Sequence, residues 1–155
     1  MKKYMCIILA IITIILAVCF IIYYKFFRTA KEFILDSEDK YIITTNHSTM
    51  TAMSDGGTHY DIRYNVDLGK RKVTIVQDYY KGFEGYKYKN RILFEKKLSA
   101  KEVEQIKELF NEIKENNSGN NNGIFVGYKL EHINDEPIVI SSREYIDRIE
   151  ELLEK

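Results

Sequence analysis

The chain has 155 residues, 23 basic and 23 acidic side chains, one proline, no tryptophan and two cysteines, Cys6 and Cys19. Everything after Cys19 therefore lacks a thiol, which excludes a disulfide, a cysteine nucleophile and a thiolate zinc site there. The zero net charge conceals an asymmetry: Lys70 to Lys97 is strongly basic, whereas Glu131 to Lys155 is strongly acidic, so the two stretches are expected to attract one another across a fold.

The first element is apolar. Met5 to Tyr24 carries no charge, and at about 1.5 Å per residue those residues cover roughly the 30 Å hydrocarbon core of a bilayer. Signal-peptide cores are shorter, at about 7 to 15 residues. Leu16 stands three before Cys19, as a lipoprotein signal requires, but Val18 fills the position where a small residue belongs, and apolarity continues past Cys19 to Tyr24. Tyr23, Tyr24, Phe26 and Phe27 with Lys25 and Arg28 resemble an aromatic and basic interfacial anchor. The reading is an uncleaved, single-pass signal-anchor helix over residues 1–28, with lipidation at Cys19 and ordinary cleavage as the alternatives. Lys2 and Lys3 precede the span while Lys25, Arg28 and Lys31 follow it, so the positive-inside rule is nearly balanced. The short lysine-bearing tail favours a C-terminal domain outside the cytoplasm.

Residues 29–40 read as a connector, with an apolar patch at Phe33, Ile34 and Leu35 followed by acidic residues, that continues the helix by a turn or two. The soluble domain is expected over 41–155, enough for a single core. Tyr41 to Met53 is rich in β-branched residues and ends at Asp55-Gly56-Gly57, a hairpin turn signal. Tyr60, Ile62, Tyr64, Val66 and Leu68 then alternate with His59, Asp61, Arg63, Asn65 and Asp67, the pattern of a half-buried strand with a polar solvent side. KVTIVQDYY follows, and the glycine-punctuated KGFEGYKYKN leads to RILFEKKL, so four successive strands form an antiparallel meander.

The period then changes to helical. Ser99 and Glu102 make a capping box ahead of Val103, Ile106, Leu109, Phe110 and Ile113. After the polar loop Asn116 to Gly123, IFVGYKLEHI and IVIS read as strands, and a last helix capped by Ser141 or Ser142 carries Tyr145, Ile146, Ile149, Leu152 and Leu153. One apolar stripe per helix and one apolar face per strand give the expected fold class: α+β, an N-terminal transmembrane helix followed by a small two-layer domain, mostly antiparallel sheet with two helices on one face.

Candidate chemistry is sparse. His59, Asp61 and Arg63 share one strand face about 6.6 Å apart from one to the next, close enough for a proton-transfer cluster, yet they equally suit a solvated sheet face. His47, His59 and His132 fall on separate strands without metal-ligand spacing, so neither a metal nor a cofactor is expected. No phosphate-binding glycine loop leads into a helix. The distinctive stretch is Tyr79 to Lys89, YYKGFEGYKYK, where aromatic rings interleave with lysines. Tyr80, Lys81, Phe83, Tyr86, Lys87, Tyr88 and Lys89 are the candidate ligand- or partner-binding residues, since rings stack while lysines pair with anions. The competing reading is a hairpin whose lysines keep a sheet edge from pairing with another chain.

The expected function is a small membrane-anchored binding or interaction domain, not an enzyme. Its partners are the bilayer, through the N-terminal helix, and an unknown protein or polyanionic envelope ligand, with nucleic acid disfavoured by export. The alternatives are a small hydrolase using the sheet-face pair His59 and Asp61, and a structural membrane protein that associates with itself.

Overall fold

The computed structural model describes residues 2–46, 58–81, 86–116 and 127–155, and among these the side chains of 2–8, 10, 25–27, 46, 58, 59, 81, 86 and 88 lie outside the description. The elements in chain order are α1 (Lys2–Phe27), β1 (Lys40–Asn46), β2 (Thr58–Asp67), β3 (Lys72–Lys81), β4 (Tyr86–Lys97), α2 (Ala100–Asn116), β5 (Tyr128–His132), β6 (Ile138–Ile140) and α3 (Arg143–Glu154). The strands form one sheet in the order β4-β3-β2-β1-β5-β6, and every neighbouring pair is antiparallel. The fold is thus α+β with a six-stranded antiparallel sheet and three helices.

Alternation decides which side of the sheet is apolar. In register, Tyr41 and Ile43 of β1 face Val66 and Tyr64 of β2, which face Val73 and Ile75 of β3. These side chains, with Tyr128, Leu130 and Ile140, are buried against Val103, Ile106, Leu109, Phe110 and Ile113 of α2 and Ile149 and Leu153 of α3. Both helices therefore cover the same face, as their single apolar stripes demand.

Local signals hold the helix ends. Ser99 and Glu102 form the capping box: the Glu102 amide donates to Ser99 Oγ at 3.2 Å, and the Ser99 amide donates to Glu102 Oε2 at 2.8 Å. Ser142 caps α3 by position but makes no side-chain cap bond. The last turn of α3 carries glutamates and no basic residue, an unfavourable match to the helix dipole. Two core tyrosines offset it: the Tyr64 hydroxyl donates to Glu154 at 2.5 Å, and the Tyr128 hydroxyl donates to Glu150. Lys96 of β4 joins the two helices, pairing with Glu102 at 2.8 Å and donating to the Leu152 carbonyl at 2.9 Å.

Several expectations need correction. The connector does not prolong the helix: α1 ends at Phe27, and residues 28–36 have no regular structure. β4 begins at Tyr86 and takes in the Tyr-Lys repeat that reads as a glycine-punctuated linker, because Tyr86 to Asn90 pair with Asp78 to Lys81 of β3. The ion pairs of the basic stretch go to Asp67, Asp78, Glu95 and Glu102, so among the described residues it does not pair with the acidic C-terminal stretch. The expected strand beyond Asn46, the turn at Asp55-Gly56-Gly57, residues 124–126 of IFVGYKLEHI and the polar loop from Asn117 to Gly123 fall outside the described residues.

The side of the sheet away from the helices is not simply solvent-facing. Asn65 and Asp78 are buried there, and Val76, opposite Arg63 in register, is fully buried while lying outside the helix-side core. The chain leaving α1 lies on this side as an extended strap. The Ile92 amide donates to the Arg28 carbonyl at 2.8 Å, and the Asn90 carboxamide bonds both backbone groups of Ala30, accepting at 2.8 Å and donating at 3.3 Å. Arg28 pairs with Glu95, which also pairs with Lys72. At the far end Lys40 of β1 lies over the Phe33 ring at 5.6 Å. Phe33 and Leu35 are half-buried while Ile34 is exposed, the alternation of an extended segment laid on a surface.

Among the described residues no helix is long and apolar enough to cross a membrane. Apart from Leu9, the described side chains of α1 run over 11–24, about 21 Å of helix by rise per residue.

Candidate functional site

The pleat divides the aromatic and basic stretch between the two faces of the sheet. A register shift between Tyr79 and Tyr80 accompanies the division, leaving Tyr79 opposite Lys89 and Tyr80 opposite Lys87. On the helix side, beyond the end of the helices, the Lys89 ammonium lies 5.7 Å from the centre of the Tyr79 ring, and Tyr79 packs on Tyr60 at 6.4 Å between centroids. Tyr79 also donates to Gln77 Oε1 at 2.8 Å, where Arg91 Nε donates at 2.9 Å.

On the strap side a charged cluster centres on Asp78, which is 2% exposed. Arg63 grips it with two donors, Nε to Oδ2 at 2.6 Å and Nη2 to Oδ1 at 3.2 Å, and spends a third on Asn65 Oδ1 at 2.8 Å. Lys87 adds an ion pair at 2.8 Å. Asp61 stands directly opposite Asp78 in the ladder, and like charges so placed repel; two cations around Asp78 relieve that cost. Burial pushes the Asp78 carboxyl upward, but the hydrogen bonds from Arg63 and Lys87 outweigh it and hold the group below its ordinary value. Tyr80 is pushed up to about 12, first by burial and then by Asp78 and Asp61, so its phenol is neutral at physiological pH.

Of the tentative binding residues, Tyr80 and Lys87 thus belong to the strap side and Lys89 to the helix side. Lys81, Tyr86 and Tyr88 lie on β3 and β4 with side chains outside the description, and Phe83 lies outside the described residues altogether. Tyr80 and Lys87 are engaged with the acidic cluster, and Lys89 is exposed beside the Tyr79 ring. The position of His59 shares the Asp61 and Arg63 face, but Arg63 is committed to Asp78 and Asn65 as a structural cation. Among the described residues no three His, Cys, Asp or Glu side chains gather as a metal site. His132 bridges elements instead: it stacks on Tyr41 at 4.5 Å and reaches Asp135 at 2.7 Å and the Glu38 carbonyl at 3.0 Å.

Residues not singled out from sequence prove central to this end of the molecule. Arg28, Thr29, Ala30 and Phe33 of the strap face Asn65, Thr74, Ile92 and Glu95 across a groove of about 480 Å³. Thr29 also shares a shallow depression with Lys87, Lys89 and Asn90. The available signal was Phe33 and Leu35: two apolar residues alternating with an exposed one are poor material for a solvated tether. Compared with known proteins, the chain matches no family model, no curated protein and no solved structure.

Proposed function

We infer that the chain is a single-pass membrane-anchored binding domain, with α1 in the bilayer and the α+β domain held at its surface, outside the cytoplasm. The observation that carries this reading is the exposure of α1. Its described apolar side chains from Ile11 to Tyr24 are exposed around the whole circumference, Ile14 at 63% and Phe20 at 69% among them. A helix apolar all round requires apolar surroundings, and bilayer lipid supplies them on every side. The helix of 26 residues would extend about 39 Å, enough to cover the hydrocarbon core with about three residues to spare at either end.

The strap supports the second half of the reading. A flexible tether lets a domain wander, whereas Arg28 and Ala30 are bonded to β4 immediately after α1 ends. The β3–β4 end, with its lysines and tyrosines, is thereby carried beside the membrane. The hydrolase alternative, His59 with Asp61, has less behind it: their strand neighbour Arg63 is tied to Asp78 and Asn65, and the His59 side chain lies outside the description.

Sidedness is tested by replacing Ser118 with cysteine in a chain whose Cys6 and Cys19 are changed to serine. A membrane-impermeant maleimide should label intact cells expressing it. Labelling only after lysis would put the domain in the cytoplasm and overturn that part of the reading.

A further inference from the structure

The geometry points to a lipid-binding surface: the outer edge of β4 rests on the headgroup layer of the leaflet in which α1 ends, with Lys31 and Lys89 engaging anionic phosphates and Leu93 and Phe94 entering the apolar boundary. This inference rests on the membrane anchoring proposed above and adds to it a partner and a set of residues.

Depth comes first. The last uncharged residue of the apolar run is Tyr24, and the helix continues to Phe27, a further rise of about 4.5 Å. A headgroup layer is roughly 5–8 Å deep on each side of the hydrocarbon core. Arg28 and Thr29 therefore stand at its outer part. The strap fixes what accompanies them: Ile92 bonds Arg28, and Lys87, Lys89 and Asn90 line a shallow depression together with Thr29. These β4 residues are at headgroup depth whichever leaflet α1 enters.

The chemistry of the edge suits that place. Lys31 and Lys89 are exposed cations beside the helix end, each able to meet a lipid phosphate. One residue beyond Ile92 the ladder is irregular, with Ile92 and Phe94 paired to Val76 and Ile75 and Leu93 left as the extra residue. Leu93 and Phe94 are large apolar side chains exposed at 44% and 48%. Along a sheet edge that the strap meets at Asn90 and Ile92, exposed apolar side chains would otherwise invite pairing with another chain. Against a bilayer, apolar side chains flanked by lysines are the composition of an interfacial contact.

The test uses the full chain with Cys6 and Cys19 replaced by serine, reconstituted in vesicles of phosphatidylcholine alone or mixed with phosphatidylglycerol. One preparation carries an environment-sensitive fluorophore on Leu93→Cys, another on Ile14→Cys, and quenchers are placed on lipid headgroups or deep in the acyl chains. The inference expects the label at 93 to be quenched at headgroup level in phosphatidylglycerol vesicles. The double variant Lys31→Gln, Lys89→Gln should lower the docked-to-free ratio roughly 25-fold, about fivefold per lysine. Lys87 is left in place because it neutralises Asp78. If the label at 14 is quenched deep in the bilayer while the label at 93 reports water in both lipids, the edge does not dock and the inference fails with the anchor intact. Equal docking in both lipids, insensitive to the lysines, would overturn the role of anionic phosphate. A label at 14 that escapes the deep quencher would overturn the anchoring and this inference together.

Discussion

Replacing Asp78 with alanine should cost about 4 kcal/mol. Asp78 holds two donors of Arg63, at 2.6 and 3.2 Å, and the Arg63 side chain is only 12% exposed. Hydrogen bonds to a charged group contribute about 1.5–3 kcal/mol each, and stranding a buried cation costs about 3–5 kcal/mol; the two routes agree. Lys87 is 40% exposed, and without it Asp78 keeps both Arg63 donors, so Lys87→Ala should cost under about 1 kcal/mol. Replacing both members of the buried pair, Arg63→Met with Asp78→Leu, should restore stability to within about 1 kcal/mol of the original. Urea unfolding of the full chain in nonionic micelles, followed by tyrosine circular dichroism, measures all three. The same pair predicts a pH dependence of defined sign. Asp78 is held below its ordinary value of 3.8, so its contribution is present above that pH and is lost as the pH falls through the lower folded value. The stability gap to Asp78→Asn should therefore close under acid. If Asp78→Ala and Lys87→Ala cost the same, or Asp78→Ala costs under about 1 kcal/mol, the Arg63 cluster is not buried as described.

Asn90→Ala removes both bonds to the Ala30 backbone and should cost about 1–2 kcal/mol while making Lys31 the first site cut by trypsin; unchanged cleavage there would mean the strap is not held by Asn90. At Gly127 an added methyl would stand 2.3 Å from the Ile140 carbonyl oxygen, so Gly127→Ala should lower stability by about 2 kcal/mol or more through overpacking of backbone on backbone. A neutral urea midpoint for that variant would refute the close approach of β5 and β6. Glu102 is pulled from 4.5 to about 2, first by the hydrogen bond from Lys96 and then by those of the Ser99 cap. Its contribution is present above pH 4.5 and lost between there and about 2, and Glu102→Gln should flatten the stability profile over that window.

What could be read in the sequence was what depends on neighbours in the chain. The alternation from Tyr60 to Leu68 locates β2 because every second residue is in a core, and the capping box is legible because Ser99 and Glu102 are three residues apart. The same alternation misled about the other face: it marks Arg63 and Asn65 as polar without saying what lies over them, and the strap comes from residues that are far away in sequence. The grouping of Tyr79 to Lys89 as one surface failed for a related reason. Strand pleat and a register shift send Lys87 and Lys89 to opposite faces, and neither is visible in composition. The tyrosine hydroxyls that hold Glu150 and Glu154 reach across long stretches of chain, where no local pattern announces them.

The strap also sets how the molecule would bear load. Tension applied to α1 is delivered first to the Arg28–Ile92 bond and the two Ala30–Asn90 bonds. These few bonds at the margin of the sheet are loaded one after another, whereas the ladders joining β1, β2 and β3 share the load over many bonds at once. The strap would thus act as a mechanical fuse, giving up length between α1 and the domain before the sheet ruptures. Single-molecule pulling between α1 and the C-terminus would show it as a small, reversible extension preceding the rupture of the sheet.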